Sequence, residues 1–82
     1  MTGADCDLAA TARAIAEPAR AVMLLRLLDG RRHTARELAD AAGVSPSGAS
    51  THLRRLVDAG LVSVHADGRR RLHALASPQV AA

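Results

Sequence analysis

Residues 34–60, TARELADAAGVSPSGASTHLRRLVDAG, decide the fold, because their pattern predicts two helices joined by a tight turn. Thr34 and Glu37 have the spacing of a capping box at the start of the first of these helices. Gly43 ends that helix, since a residue without a side chain adopts the left-handed conformation without strain. Ala39, four residues earlier, is small enough to let the two helices approach closely. The stretch therefore predicts a helix-turn-helix.

The second of these helices has an outer face that is polar and basic. Ser45 can cap it and Pro46 fits its first turn, while its inward positions are apolar: Ala49, Leu53, Leu56 and Val57. The outward positions combine short hydroxyls with charge: Ser47, Ser50, Thr51, Arg54 and Asp58, flanked by His52 and Arg55. Such hydroxyls and guanidinium groups suit base edges and phosphates. A helical hairpin in an ordinary bundle would more often carry Glu/Lys pairs there, so this face favours DNA recognition.

A first helix is predicted to precede this stretch. Residues 1–7 are expected to be flexible, with Asp5 or Asp7 as a cap for a helix that begins at Leu8. The helix should end at Glu17, because the residue before a proline is disfavoured in helical backbone. Small and apolar residues share one helical face, and the small ones permit close approach of another helix: Leu8, Ala12, Ile15 and Ala16.

A second helix should begin at Pro18, where a missing N–H costs nothing, and stop at Gly30. Val22, Leu25 and Leu28 repeat at intervals of three, and the apolar stripe is widened by Met23, Leu24 and Leu27. We expect a helix this apolar to cross the middle of a small core. Residues 31–33 should then form an exposed basic turn.

After Gly60 the pattern changes to that of a β-hairpin. Leu61, Val62 and Val64 indicate a strand, and Asp-Gly at residues 67–68 is a strong turn signal. A two-residue loop would place Val62 opposite His73, whereas a three-residue loop would place it opposite Leu72, which the apolar pattern prefers.

Three consecutive guanidinium groups follow the turn, on Arg69, Arg70 and Arg71. A charge run of this kind needs no function beyond solvation. Directly after a helix-turn-helix, however, it lies where a wing reaches the DNA backbone or a narrow minor groove, which attracts Arg electrostatically.

The bulk composition indicates one small cytoplasmic domain. The chain has 82 residues and lacks Phe, Tyr and Trp, so its core must be aliphatic and we expect dimerisation to support it. All 11 basic side chains are Arg, and the net charge of +3 comes from residues 42–82. The lone Cys6 excludes an internal disulfide. Neither a signal peptide nor an apolar run long enough for a bilayer is present, so we expect no membrane association.

We therefore predict a mainly α fold with a small β-hairpin, a winged helix-turn-helix of four helices and a two-stranded wing, in residues 8–76. Ser77 and Pro78 have the pattern of another helix start. Residues 77–82 are thus expected to be the start of a truncated or disordered carboxy-terminal segment.

A series of short motifs resembles the ArsR/SmtB group of bacterial winged-helix repressors. The motifs are Glu-Pro-Ala-Arg at 17–20, Glu-Leu-Ala at 37–39, Gly-Val-Ser at 43–45, Ser-Thr-His-Leu-Arg-Arg-Leu at 50–56, Ala-Gly-Leu-Val at 59–62 and Asp-Gly-Arg at 67–69. Each motif is weak alone, and MarR-type proteins share the second half, but the order and spacing together are specific. The resemblance covers about residues 8–76.

The resemblance implies a homodimer, formed through the amino-terminal helix, that represses transcription from a palindromic operator in double-stranded DNA. By position, residues 47 and 50–52 fall in the base-contacting segment and residues 69–71 in the wing. With the helix cap and the neighbouring guanidinium groups, the candidate DNA-binding residues are Ser45, Ser47, Ser50, Thr51, His52, Arg54, Arg55, Arg69, Arg70 and Arg71. Many members sense metals through cysteines where this chain has Thr34 and Arg36, so we predict no metal site and no cofactor.

Two other functions compete with DNA binding. A winged helix that binds another protein would be marked by an acid-rich recognition helix, to which Asp58 alone contributes here. An enzyme is disfavoured, because Ser50 and His52 are two residues apart on a helix and point away from each other. We therefore predict no catalytic residues.

Overall fold

The computed structural model describes the backbone of residues 3–76 and the side chains of residues 8–76. Four helices and three strands follow one another along the chain: α1 (Gly3–Ala16), α2 (Pro18–Leu27), β1 (His33–Thr34), α3 (Ala35–Ala42), α4 (Pro46–Asp58), β2 (Val62–Asp67) and β3 (Arg70–Leu75). The four helices and the β2–β3 hairpin confirm the predicted winged helix-turn-helix. The predictions for residues 77–82 lie outside the described residues.

The amino-terminal helix begins earlier than the sequence predicts. Helix α1 starts at Gly3 rather than at Leu8, so Asp5 and Asp7 lie within the helix and neither is its cap. Its end is as expected, because Glu17 leaves the helical conformation with φ −83° and ψ 123° before Pro18. The Glu17 side chain then caps α2 by accepting a hydrogen bond from the backbone N–H of Ala19 at 3.1 Å.

The core is aliphatic and draws on every helix and on the wing. Its buried residues are Ala14, Met23, Leu27, Leu38, Ala39, Ala49, Leu53, Leu56 and Val62. Leu24, Val44 and Leu61 are among the partly buried residues that pack against this set. Leu38 and Ala39 are the buried residues of α3, and three of the four inward positions predicted for α4 are confirmed. Val57, the fourth, is 37% exposed.

Helix α2 buries a different stripe from the one that its three-residue repeat indicated. Met23 and Leu27, one helical turn apart, are completely buried, whereas Leu25 and Leu28 are each 65% exposed. Helix α2 is apolar on several faces, and the face that carries Met23 and Leu27 is the one that the rest of the fold covers. On α1, the face of Leu8, Ala12, Ile15 and Ala16 is exposed, and Ala14 supplies the buried contact.

Local backbone signals position the helix-turn-helix as predicted. Glu37 N–H donates to Thr34 Oγ1 at 3.1 Å, and Thr34 N–H donates to Glu37 Oε1 at 2.8 Å, which completes the capping box. Gly43 has φ 69° and closes α3. Ser45 Oγ then accepts the backbone N–H of Gly48 at 3.1 Å and starts α4.

The wing belongs to a three-stranded antiparallel sheet in the order β1-β3-β2. The sequence did not predict the short strand β1, because its pattern placed His33 in a turn and Thr34 at the cap of the next helix. Neither predicted hairpin register is correct, because Val62 pairs with Leu75 and Asp67 pairs with Arg70. The loop is Gly68-Arg69, one residue later than expected, with Gly68 at φ 64° as the first position of a type II′ turn requires. This register places the buried Val62 beside an apolar partner.

Between residues 3 and 76, every helix is too short or too polar to cross a membrane.

Candidate nucleic-acid interface

The outer face of α4 presents the polar side chains that the sequence placed there. Ser47, Ser50, Thr51 and Arg54 are all exposed. The first turn is held by hydroxyl contacts, with Ser45 Oγ within 3.3 Å of Ser47 Oγ. Because Ser45 also caps α4, these hydroxyl groups are held in place at the start of the helix.

The hydroxyl group of Thr51 makes a hydrogen bond within α4. Its Oγ1 donates to the backbone carbonyl of Ser47 at 3.2 Å, one turn earlier in α4. Because the hydroxyl has one proton, the oxygen is left as an acceptor and the methyl group is free to make apolar contacts. An acceptor of this kind suits the amino group of adenine or cytosine, and a methyl suits the methyl of thymine.

Gly48 leaves room for the cap of the same helix. A Cβ at this position would lie 3.2 Å from Ser45 Oγ, closer than ordinary van der Waals contact. Any larger residue would therefore press on the hydroxyl that accepts the backbone N–H of residue 48 in the first turn of α4.

His52 lies at the edge of this face and is half-buried. Its Nδ1 is 3.2 Å from Nη1 of Arg20, on α2. Arg20 also donates from Nε to the carbonyl of Ala14 and from Nη2 to the carbonyl of Arg13, at 3.3 Å, at the end of α1. Arg20 belongs to the motif at residues 17–20, but the sequence did not predict its contact with α4, across 32 residues.

The wing arginines point to two sides of the hairpin. Arg69, Arg70 and Arg71 are all exposed. Arg71 pairs with Ala66 and lies on the same sheet face as Val64 and His73, since alternate residues along paired strands share a face. Arg70 lies on the opposite face, beside Asp67 in the register.

A groove separates α4 from the inner face of the wing. Residues from both elements and from the start of α3 line it: Ala35, Ser50, Leu53, Arg54, Val57, Asp58, Val64, Arg71 and His73. Ser50, Arg54 and Arg71, three of the candidate DNA-binding residues, are thus brought together on one concave surface. Arg69 at the hairpin tip and Arg55 on the far flank of α4 lie outside this groove; Arg55 instead lines a crevice with Arg13 and Arg20.

His73 is the buried anchor of the wing, a role that its position in a basic hairpin did not indicate. It is 7% exposed, and its Nδ1 donates to the backbone carbonyl of His33 at 3.3 Å, across the β1–β3 pair. Burial lowers the pKa of His73 below its usual 6.5, partly opposed by this hydrogen bond, and the nearby Arg71 charge lowers it further. The side chain is therefore neutral near pH 7.

Charge at the start of α3 is locally paired. His33 Nε2 is 2.9 Å from Asp29 Oδ2. The backbone N–H of Arg31 lowers the pKa of Asp29, and the backbone N–H of Thr34 lowers the pKa of Glu37; His33 contributes to both. Among the described side chains, no group of three or more His, Cys, Asp or Glu residues is arranged to hold a metal ion.

Comparison with known proteins identifies relatives of similar organisation. A family model described as a helix-turn-helix domain matches residues 15–65. An uncharacterised HTH-type transcriptional regulator of Bacillus subtilis, YdfF, is 45% identical over 67 residues, which are 82% of this chain and 30% of that protein. A probable mercury resistance operon repressor of Streptomyces lividans is 41% identical over 69 residues, 84% of this chain and 54% of the repressor. The chain thus spans about half or less of these curated relatives.

Solved structures of transcriptional regulators also superpose on this chain. The winged helix-turn-helix DNA-binding domain of a possible ArsR-family regulator from Mycobacterium bovis, described as homodimeric, superposes with a TM-score of 0.80. It is 27% identical, and the match covers 87% of this chain and 65% of that one. Another solved structure, described as an ArsR family transcriptional regulator, has a TM-score of 0.76 at 30% identity, over 87% of this chain and 77% of its own.

Proposed function

Because this chain belongs to the ArsR-type winged helix-turn-helix regulators of transcription, a DNA-binding family, we propose that it binds a palindromic operator as a homodimer and represses transcription. Each protomer inserts α4 into the major groove of one half-site, and the wing contacts the adjacent backbone or minor groove. The observation that carries this proposal is the concave surface on which Ser50 and Arg54 of α4 lie together with Arg71 of the wing.

The chemistry of this surface divides into two roles. Ser47, Ser50, Thr51 and His52 supply hydrogen-bonding groups of the size that reaches base edges, and they contribute sequence preference. The exposed guanidinium groups supply charge for phosphates: Arg54, Arg55, Arg69, Arg70 and Arg71. Ser45 contributes through the helix start that it caps, where backbone N–H groups also attract phosphate.

The exposed side of α1 supports the homodimer. Leu8 is 69% exposed and Ile15 44% exposed, and both lie on one face together with Ala12 and Ala16. Small residues between two larger apolar ones allow two helices to pack closely around a two-fold axis. A symmetric dimer would place the two α4 helices on successive major grooves, as a palindromic operator requires.

Repression then follows from occupancy of the operator. The Streptomyces relative is named as a probable repressor of a mercury resistance operon. For this chain we propose repression in the cytoplasm without metal sensing at the start of α3, because Thr34 and Arg36 occupy that position and neither offers a soft ligand.

The salt dependence of duplex binding tests this proposal. Five candidate guanidinium contacts per protomer give a slope of log K against log salt of up to about −4.5 for one protomer and about −9 for a dimer. A steep slope, together with one preferred duplex sequence, supports the proposal. A flat response, or equal affinity for all duplexes at every salt concentration, would contradict it.

A further inference from the structure

Arg20 connects the end of α1 with the recognition helix α4. Its guanidinium group donates hydrogen bonds to the carbonyls of Arg13 and Ala14 and contacts His52 Nδ1 at 3.2 Å. The last carbonyls of an α-helix have no partner within the helix, so a cation there satisfies both hydrogen bonding and the helix dipole. One half-buried side chain thus bonds to two elements that are far apart in sequence.

The chemistry of this contact determines where the His52 proton lies. A guanidinium group has donors and no acceptor, so Nδ1 of His52 must accept the hydrogen bond. A neutral imidazole that accepts at Nδ1 carries its proton on Nε2. Arg20 therefore makes the other ring nitrogen of His52 a hydrogen-bond donor.

A donor at this position has a defined use in the major groove. Guanine presents two acceptors there, N7 and O6, whereas cytosine presents an amino donor. His52 follows the exposed Thr51 on α4 and lies in the segment proposed to contact bases. A histidine fixed as an Nε2–H donor distinguishes guanine from cytosine at the contacted position, and a histidine free to exchange tautomers does so less well.

We propose that Arg20 is a positioning residue for DNA recognition, holding His52 as an Nε2–H donor and linking its placement to the end of α1. The inference rests on the proposed function, because it assigns His52 a base contact. Helix α1 faces Arg20 and α4 on one side and carries the exposed stripe of Leu8 and Ile15 on the other. Any displacement of α1 at the dimer interface is therefore passed to His52 through this guanidinium group.

The tautomer can be measured without DNA. Nitrogen-15 spectra of the whole chain, labelled at histidine and recorded above neutral pH, should show His52 protonated at Nε2 with Nδ1 as a hydrogen-bonded acceptor. In Arg20→Gln the Nδ1 signal should move toward that of a free imidazole, and Arg20→Lys should restore part of the shift. An Nδ1-protonated His52 in the unmodified protein would overturn the proposal, whatever the variants do.

The effect on recognition is measured by selecting duplexes from a random pool and comparing the base preferences of the variants. Arg20→Gln should lower the preference at one base pair in each half-site by about threefold to tenfold, as expected for the net contribution of one hydrogen bond between neutral groups. In a His52→Ala background, the same substitution should have no further effect at that base pair. Arg26→Gln, which removes an exposed guanidinium group from the same helix, is the matched control.

The two proposals fail in different ways. If no duplex is selected by any variant, the proposed function fails while the nitrogen-15 result still stands. If duplexes are selected but Arg20→Gln leaves every base preference unchanged, the positioning role is refuted and DNA binding is not. Loss of folding in Arg20→Gln would move the comparison to Arg20→Lys, whose single ammonium group should give a smaller change at the same base pair.

Discussion

Replacing the exposed apolar residues of α1 should separate the dimer while leaving each protomer folded. Full burial of a Leu or Ile side chain stabilises by roughly 2 kcal/mol. Since Leu8 is 69% exposed and Ile15 44% exposed, burial of the remainder is worth about 1.4 and about 0.9 kcal/mol. Two protomers contribute, so Leu8→Ser with Ile15→Ser should cost about 4.5 kcal/mol per dimer, a rise of about a thousandfold in its Kd.

Sedimentation over a range of protein concentrations measures this constant directly. Leu25→Ser is the matched control, because Leu25 on α2 is 65% exposed, almost as much as Leu8. The control should dimerise like the unmodified chain. Because the α1 stripe contributes little to the core of one protomer, thermal unfolding of the separated protomers should show little change from the substitutions. An unchanged dimer constant in the double variant, or equal loss in the control, would refute α1 as the interface.

Four further variants test the interface and the fold. Replacing Arg70 and Arg71 with Ala should weaken all duplexes alike and make the slope of log K against log salt shallower by about 1.8 per protomer, measured by titration at several salt concentrations. Thr51→Val, which removes the acceptor oxygen and keeps the shape, should change the selected duplex sequence more than the overall affinity. Burial lowers the pKa of His73 in the folded protein, so the unfolded chain binds more protons than the folded one. The free energy of unfolding should therefore fall as the pH drops below about 6.5. Urea unfolding of His73→Phe should lack this loss. Thr34→Ala breaks the capping box and should cost about 1 kcal/mol, or about 4–8 °C in Tm by calorimetry.

Features with a local cause were predictable from the sequence. The capping box of Thr34 and Glu37 and the cap by Ser45 involve residues three apart, so the pattern contains both partners. The stop at Gly43 likewise depends on the φ of one residue. These signals placed the helix-turn-helix correctly, and with it the exposed side chains of α4.

Features that depend on distant partners were not predictable. Helix α2 offers two apolar stripes of similar strength, and the choice of Met23 and Leu27 over Leu25 is made by the packing of α3 and α4. The hairpin register follows from β3 pairing on both edges, with Leu72 opposite His65 on one side and Thr34 on the other. A strand of two residues has no periodicity from which it could be recognised.

The same distinction applies to the candidate site. The hydroxyl and guanidinium groups of α4 follow from helical spacing alone. The contact between Arg20 and His52 and the bond from His73 to the backbone of His33 join residues 32 and 40 positions apart. The motif at residues 17–20 includes Arg20, but its partner His52 becomes evident only when the helices are packed.

Selection of duplexes from a random pool, followed by the mass of the purified complex, tests the central claim most directly. The account predicts an inverted repeat whose half-sites are about 10 base pairs apart, or a multiple of that distance, bound by two copies of the chain. A selected pool with no common sequence, or a single half-site bound by one copy, would contradict it.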